Sequence, residues 1–416
     1  MKFATKSLIV LAFLSALLSF AKFDHCLNTN FGSPDVYTHA CYSDLPALFG
    51  ARDLIHHVWP YASATNSVEY PPLTGVVMWA TALPTHSDKT YFLINVALIA
   101  LLFIGTALLI SKMNPEYWYL LPLSPAVIAS LYINWDLWAV ASAVLAIYYF
   151  DRRKYDFSAL ALGVSVATKF FPIVLLVPIA LIFYRRKQIA DAIRYGVVLF
   201  GSWLAINAPF IIYSRTGWWR FFKMNSERGV DFGSLWYALN LFGISTKNIN
   251  NLSIILFLIG TAAYSVYYFG LAEVPSLAST AFIIVAVFTI SSKVYSPQYV
   301  LWLTPLAILA MTGTTGTTGT TGTTGTTVTT GTSSEQRNRD RPAFWVWQAA
   351  ELIYHVAIWE YLASYSGSHF GLPAKAYAAS ILLRIAATIF FTVRVSTRSQ
   401  APQSLEFLIS QTGGYA

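Results

Sequence analysis

The chain has 416 residues, 56% of them hydrophobic and only 11% charged. Soluble domains carry about 25% charged residues, so the composition excludes an ordinary soluble protein and reads as a membrane protein. The formal charge of +8 does not argue for nucleic acid, because many of the Lys and Arg flank apolar segments, where the positive-inside bias puts them.

Lys2 and Lys6 precede an apolar run from Leu8 to Ala21. We read it as a retained first helix with its N-terminus inside. The alternative is a cleaved signal peptide ending at Ser19-Phe20-Ala21. Either way, residues 23–88 form an external loop. Cys26 and Cys41 both lie in it, and they either pair as a disulfide, as an oxidising face permits, or stay free. No Cys/His spacing resembles a zinc site. The apolar run Leu73–Leu83 starts at Pro71-Pro72, which suits a helix start. It falls short of the roughly 20 residues a crossing needs, so it is expected to lie in the membrane interface.

The expected crossings are Lys89–Ile110, Tyr117–Ile133, Leu137–Phe150, Phe157–Thr168, Phe171–Tyr184, Ala190–Tyr213, Leu252–Gly270, Leu277–Ile290, Tyr299–Met311, Ala343–Ala363 and Ala374–Val393. With the first helix they make about twelve, several of them short and bent. The fold class is therefore an all-α polytopic membrane protein with two long external loops, 23–88 and 214–250. This assignment puts Lys112, Arg152-Arg153-Lys154, Arg185-Arg186-Lys187, Arg337-Arg339-Arg341 and Arg394-Arg398 on one face, which the positive-inside rule makes cytoplasmic.

Two lysines fall on the other face in short turns: Lys169, in Ala167-Thr168-Lys169-Phe170-Phe171-Pro172, and Lys293, in Lys293-Val294-Tyr295-Ser296-Pro297-Gln298-Tyr299. Basic groups so placed call for an anionic partner, and a lipid phosphate is the natural candidate; snorkelling to the headgroups is the bland alternative. A third short external turn holds Asn134-Trp135-Asp136. The second long loop mixes Trp218, Trp219, Arg228, Asp231 and Trp236, a composition that suits sugar stacking and an interfacial helix equally. Thr312–Thr332 is a Gly-Thr-Thr repeat, the core of a flexible cytoplasmic linker over 312–342. The linker separates a body of residues 1–311 from a C-terminal hairpin, 343–394, and a tail, 395–416. Within the hairpin Glu351 and Arg384 are expected to pair, since a lone charge at mid-membrane depth is costly, and His355 to join them.

Six motifs occur in order: Cys-Tyr-Ser-Asp-Leu-Pro at 41–46, Glu-Tyr-Pro-Pro-Leu-Thr-Gly at 69–75, Asn-Trp-Asp-Leu at 134–137, Ala-Thr-Lys-Phe-Phe-Pro at 167–172, Asn-Ser-Glu-Arg-Gly-Val-Asp-Phe-Gly-Ser-Leu-Trp-Tyr at 225–237 and Lys-Val-Tyr-Ser-Pro-Gln-Tyr-Val at 293–300. Together they resemble the polytopic glycosyltransferases of the GT-C superfamily, and most closely the polyprenyl-phosphate-mannose-dependent glycosyltransferase family 87 in its actinobacterial form. The resemblance covers most of residues 23–311. It implies a plasma-membrane enzyme whose active site lies on the extracytoplasmic face. Such an enzyme moves a hexose, mannose above all, from a polyprenyl-phosphate donor to a glycolipid or glycan acceptor, with inversion.

The resemblance places the catalytic base at Asp44. Against it stand the other external acids, Asp24, Asp35, Asp53, Glu69, Asp88, Asp136 and Asp231. Lys169, Lys293 and Arg228 are the candidates to hold the phosphate, and Asp136, Asn134, Tyr295, Gln298, Glu69 and Trp236 the further substrate-binding candidates. Glu69, just before Tyr70, is a second carboxylate at a place where the family's Tyr-Pro-Pro element begins, and the Gly-Thr-Thr linker is also a departure. No cofactor is required, although paired carboxylates are compatible with a divalent cation. A transporter or flippase of a lipid-linked sugar is the alternative function.

Overall fold

The computed structural model describes residues 2–311 and 334–397. The Gly-Thr-Thr repeat and most of the expected tail lie outside these. Among the described residues every regular element is a helix. Four of the described helices are long and apolar enough to cross a membrane: Asp88–Met113, Ile189–Tyr213, Ile249–Gly270 and Ala374–Thr397. Their outward faces carry Val197 at 66% and Val266 at 76% exposure. Large aliphatic side chains stacked in such numbers on a surface are stable against lipid and not against water, so this is an integral membrane protein.

Two expected crossings are broken in the structure. Tyr117–Ile133 is not one helix. Pro122 and Pro125 divide it into the short helices Leu120–Leu123 and Pro125–Ser130, because proline lacks the N–H that would continue the ladder and clashes with the preceding turn. Phe171–Tyr184 likewise opens as a 3-10 turn, Phe171–Leu175, before the α-helix Leu176–Arg185. The run after Pro72 does form the separate short helix Pro72–Ala82, with proline at its first turn.

Helices Asp136–Asp151 and Tyr155–Thr168 form a tight antiparallel hairpin. Asp136 at its start touches Lys169 at its finish. The basic turn Arg152-Arg153-Lys154 therefore sits at the opposite end, one helix length or about 24 Å away at 1.5 Å per residue.

The loop over 23–88 is built from short helices tied by covalent and polar links. Cys26 and Cys41 form a disulfide. Ser43 caps the helix Asp44–Ala51 by accepting the Leu45 N–H at 3.2 Å, which satisfies an amide that a helix start leaves unpaired. Its hydroxyl donates to the Tyr132 carbonyl at 2.7 Å, and the Asp44 N–H donates to the Ile133 carbonyl at 2.7 Å. These bonds pin the first residue of that helix to the turn carrying Asn134-Trp135-Asp136.

In the C-terminal hairpin Arg384 Nε meets Glu351 Oε2 at 2.8 Å, both side chains fully buried. The rest of the guanidinium donates to the Tyr295 carbonyl at 2.7 Å and the Ser296 carbonyl at 3.1 Å. The hairpin is thereby fastened beneath the segment 295–299. His355 joins a different network from the one expected: it bonds Ser130 Oγ at 3.2 Å and Trp359 Nε1 at 3.1 Å, with Lys22 Nζ at 3.5 Å.

Candidate active site

Asp44 opens into a cavity of about 750 Å³. The loop over 23–88 supplies Tyr37, Tyr42, Asp44, Glu69 and Tyr70 to its lining. Lys169 comes from the turn after the central hairpin, and Asn225, Arg228 and Asp231 from the second long loop. Gln298 and Tyr299 follow from the next turn, and Trp359 from the C-terminal hairpin.

The carboxylate is held on both oxygens. Tyr42 donates its hydroxyl to Oδ1 at 2.9 Å, and Tyr70 donates to Oδ2 at 3.3 Å. Burial pushes the Asp44 carboxyl above the usual aspartate range, an effect opposed by the Tyr42 hydrogen bond, the Lys169 charge and the Tyr70 hydrogen bond and reinforced by the Asp136 charge. The negative charge of Asp44, together with burial, raises the Tyr42 phenol, and burial together with Asp44 raises the Tyr70 phenol. Both phenols therefore remain donors.

Tyr70 is itself positioned. The Tyr61 hydroxyl donates to the carbonyls of Tyr70 and Pro71, each at 2.9 Å. That hydroxyl occupies the space a Cβ on Gly75 would need. The glycine in Glu69-Tyr70-Pro71-Pro72-Leu73-Thr74-Gly75 thus makes room for the group that orients Tyr70.

The Tyr70 ring carries the next contact. Lys169 Nζ lies 4.6 Å from its centroid, a cation–π distance, and 2.6 Å from Asp136 Oδ1. Asp136 is fully buried. It accepts from Trp302 Nε1 at 2.8 Å on its other oxygen, and its N–H donates to Asn134 Oδ1 at 2.9 Å. Trp302 is stacked between Phe171 and Tyr299, with centroids 3.9 and 3.6 Å away. Asp136 and Asn134 thus lie behind the cavity wall and hold Lys169, which faces into it.

The other expected site residues divide. Arg228 and Gln298 line the cavity, and Arg228 is ion-paired with Asp231. Glu69 lines it too, clasped by Arg52 and, at 3.4 Å, by Arg220. Lys293 does not line the cavity. Its ammonium donates to the Arg228 carbonyl at 2.5 Å and to Asn250, so it fastens the loop that carries Arg228. Burial and the Arg228 charge lower its pKa. Trp236 is buried with Nε1 on the Ser291 carbonyl at 2.9 Å. Tyr295 is buried beneath Arg384, its ring centroid 3.5 Å from the guanidinium carbon, with its hydroxyl on Glu351 at 3.2 Å.

An aromatic wall beside Asp44 went unforeseen. The Tyr37 and Tyr42 rings stack at 5.6 Å, and Trp359 lies 5.4 Å from Tyr42 and 6.3 Å from Tyr37. The only signal in the sequence was proximity of Tyr42 to Asp44; nothing there linked Trp359, more than 300 residues on, to the same wall.

What fold and site define is an all-α multi-pass membrane protein with a half-buried carboxylate in a cavity walled by aromatic and charged groups. No protein-family model matches the chain, and no curated protein does. Among solved structures it overlaps ArnT from Cupriavidus metallidurans, crystallised with undecaprenyl phosphate, at 12% identity and a TM-score of 0.45. The overlap covers 98% of this chain and 80% of that one. At that level of similarity the overlap says nothing about chemistry.

Proposed function

We propose that the protein is a membrane glycosyltransferase that transfers a hexose from a polyprenyl-phosphate donor to a glycolipid or glycan acceptor, with Asp44 as the base. The observation that carries this reading is the grip on Asp44: a carboxylate with its pKa raised by burial, held by two phenol donors, in a cavity also lined by Lys169 and Arg228. A base works best when its pKa approaches the working pH.

In the reaction an acceptor hydroxyl attacks the anomeric carbon and passes its proton to Asp44. The new C–O bond forms on the face opposite the phosphate. The bond between the anomeric carbon and the phosphate oxygen breaks, and its electron pair leaves with the polyprenyl phosphate. One such displacement inverts the anomeric centre. Lys169 and Arg228 stabilise the charge that grows on the leaving phosphate. The wall of Tyr37, Tyr42 and Trp359 offers an aromatic surface for a sugar ring. Tyr42 belongs to that wall and also donates to the base, so a stacked acceptor sugar would lie beside Asp44.

Glu69 is already paired with Arg52, whereas Arg228 would divide its charge between Asp231 and an incoming phosphate. The basic turn Arg152-Arg153-Lys154 lies at the far end of the hairpin from the cavity, and the positive-inside rule makes that end cytoplasmic. The cavity then opens on the extracytoplasmic face of the plasma membrane. Mannose as the sugar rests on the six motifs between residues 41 and 300 that resemble family 87.

Purified protein reconstituted in vesicles with a labelled polyprenyl-phosphate mannose and extracted envelope lipids tests the proposal. The expected result is label in a new glycosidic bond of inverted configuration. Movement of the donor across the bilayer with no new bond would instead establish the flippase alternative.

A further inference from the structure

The external loop holds a second cluster of side chains outside the cavity. His25 Nε2 lies 2.6 Å from Asp35 Oδ2, and His39 Nδ1 lies 3.1 Å from Asp35 Oδ1. One carboxylate thus serves two imidazoles, whose rings stack with centroids 3.5 Å apart. One donor atom from each of the three residues falls within 4.8 Å of the other two.

The backbone that carries them is constrained. His25 adjoins Cys26, and His39 stands two residues before Cys41, the two ends of the disulfide-closed loop. The Cys41 N–H donates to the Val36 carbonyl at 2.9 Å, and the His39 N–H to the Asp35 carbonyl at 3.1 Å. The three groups therefore start close to a common geometry. All are partly exposed, with side chains 35 to 44% accessible, so water can complete a coordination sphere.

We propose that His25, Asp35 and His39 form a binding site for a divalent transition-metal ion of the zinc type. Two imidazole nitrogens and one carboxylate oxygen suit zinc or cobalt, whereas magnesium and calcium favour sets made of oxygen alone. Tetrahedral bonds of about 2.0 Å set the ligand atoms about 3.3 Å apart, so binding widens the His25–Asp35 contact and turns the stacked rings until both in-plane lone pairs face the ion. The site has a structural consequence. Tyr37 lies in the same four-residue helix as Asp35, Asp35–Thr38, and stacks on Tyr42 and Trp359 in the cavity wall. A bound ion braces that wall from behind. The proposal does not depend on the chemistry assigned to Asp44.

The test uses full-length protein in detergent, freed of any affinity tag and of metal, titrated with cobalt(II) and followed by its visible d–d absorption. The expected result is a saturable one-to-one band, displaced by zinc, lost in H25A/H39A and retained in H57A/H86A. Wild-type protein that develops no band, or an H25A/H39A variant that binds as the wild type does, overturns it. A second measurement stands even if the variant fails to fold: on wild-type protein, zinc should protect His25 and His39, but not the exposed His56, from diethyl pyrocarbonate. Equal modification of all three with and without zinc would also overturn the site.

Discussion

Tyr70 donates its hydroxyl to Asp44 at 3.3 Å and presents its ring to the Lys169 ammonium at 4.6 Å. One side chain thus joins the carboxylate to the cation without letting them neutralise each other directly. The Lys169 charge is met instead by the buried Asp136, which leaves Asp44 gripped by phenols alone.

This arrangement fixes the direction of a pH effect. The Asp44 carboxyl titrates above the ordinary aspartate range because burial disfavours its charge. Activity that needs the ionised base is present above that pKa and lost as pH falls through it. The acid limb of kcat/KM should therefore lie above the usual carboxylate range. Hydrogen bonds to the ionised form lower a carboxyl pKa, so Y70F and Y42F should each move the limb to higher pH. Profiles of the three proteins check this, and a limb that stays put in both variants would count against the grip.

The Lys169–Asp136 pair should show the asymmetry of buried ions. Removing one partner leaves the other charged and unmatched, at a cost of about 3–5 kcal/mol. K169M should therefore unfold at markedly lower temperature, and K169M/D136N should recover much of the loss. A melting series in one detergent measures both. Lys169 also faces the cavity, so the double variant should regain stability but not transfer.

Glu351 and Arg384 predict a parallel outcome in the hairpin. Both are fully buried, and Arg384 also caps the carbonyls of Tyr295 and Ser296. E351Q should lower folded yield, and R384M should lower it more, because it strands those two carbonyls as well as the glutamate. Size-exclusion profiles of the single variants and of E351Q/R384M test the order.

That ion pair was legible in the sequence because a charge inside an apolar run calls for an opposite charge at the same depth. The helical character of the chain was legible for a similar reason, in the long apolar runs. The break in residues 117–133 was signalled by Pro122 and Pro125 but hidden by unbroken hydrophobicity. The grip on Asp44 was not legible: nothing local tells which of 25 tyrosines turns its hydroxyl toward a given carboxylate. Trp359 and the trio of His25, Asp35 and His39 were hidden too, because tertiary packing and the disulfide, not spacing, bring them together. Lys169 and Lys293 looked alike as stray external lysines, yet only Lys169 reaches the cavity, since Lys293 is used to hold the Arg228 loop.

The most direct measurement is transfer from a polyprenyl-phosphate sugar by D44N in vesicles, alongside its melting temperature. An amide fills the same space without the penalty of burying charge. D44N removes the buried charge but keeps one acceptor oxygen for the two phenols, so it should stay folded and melt close to the wild type. Transfer should fall by about 10²-fold or more, the usual contribution of a general base. A stable D44N that turns over at the wild-type rate would contradict the account.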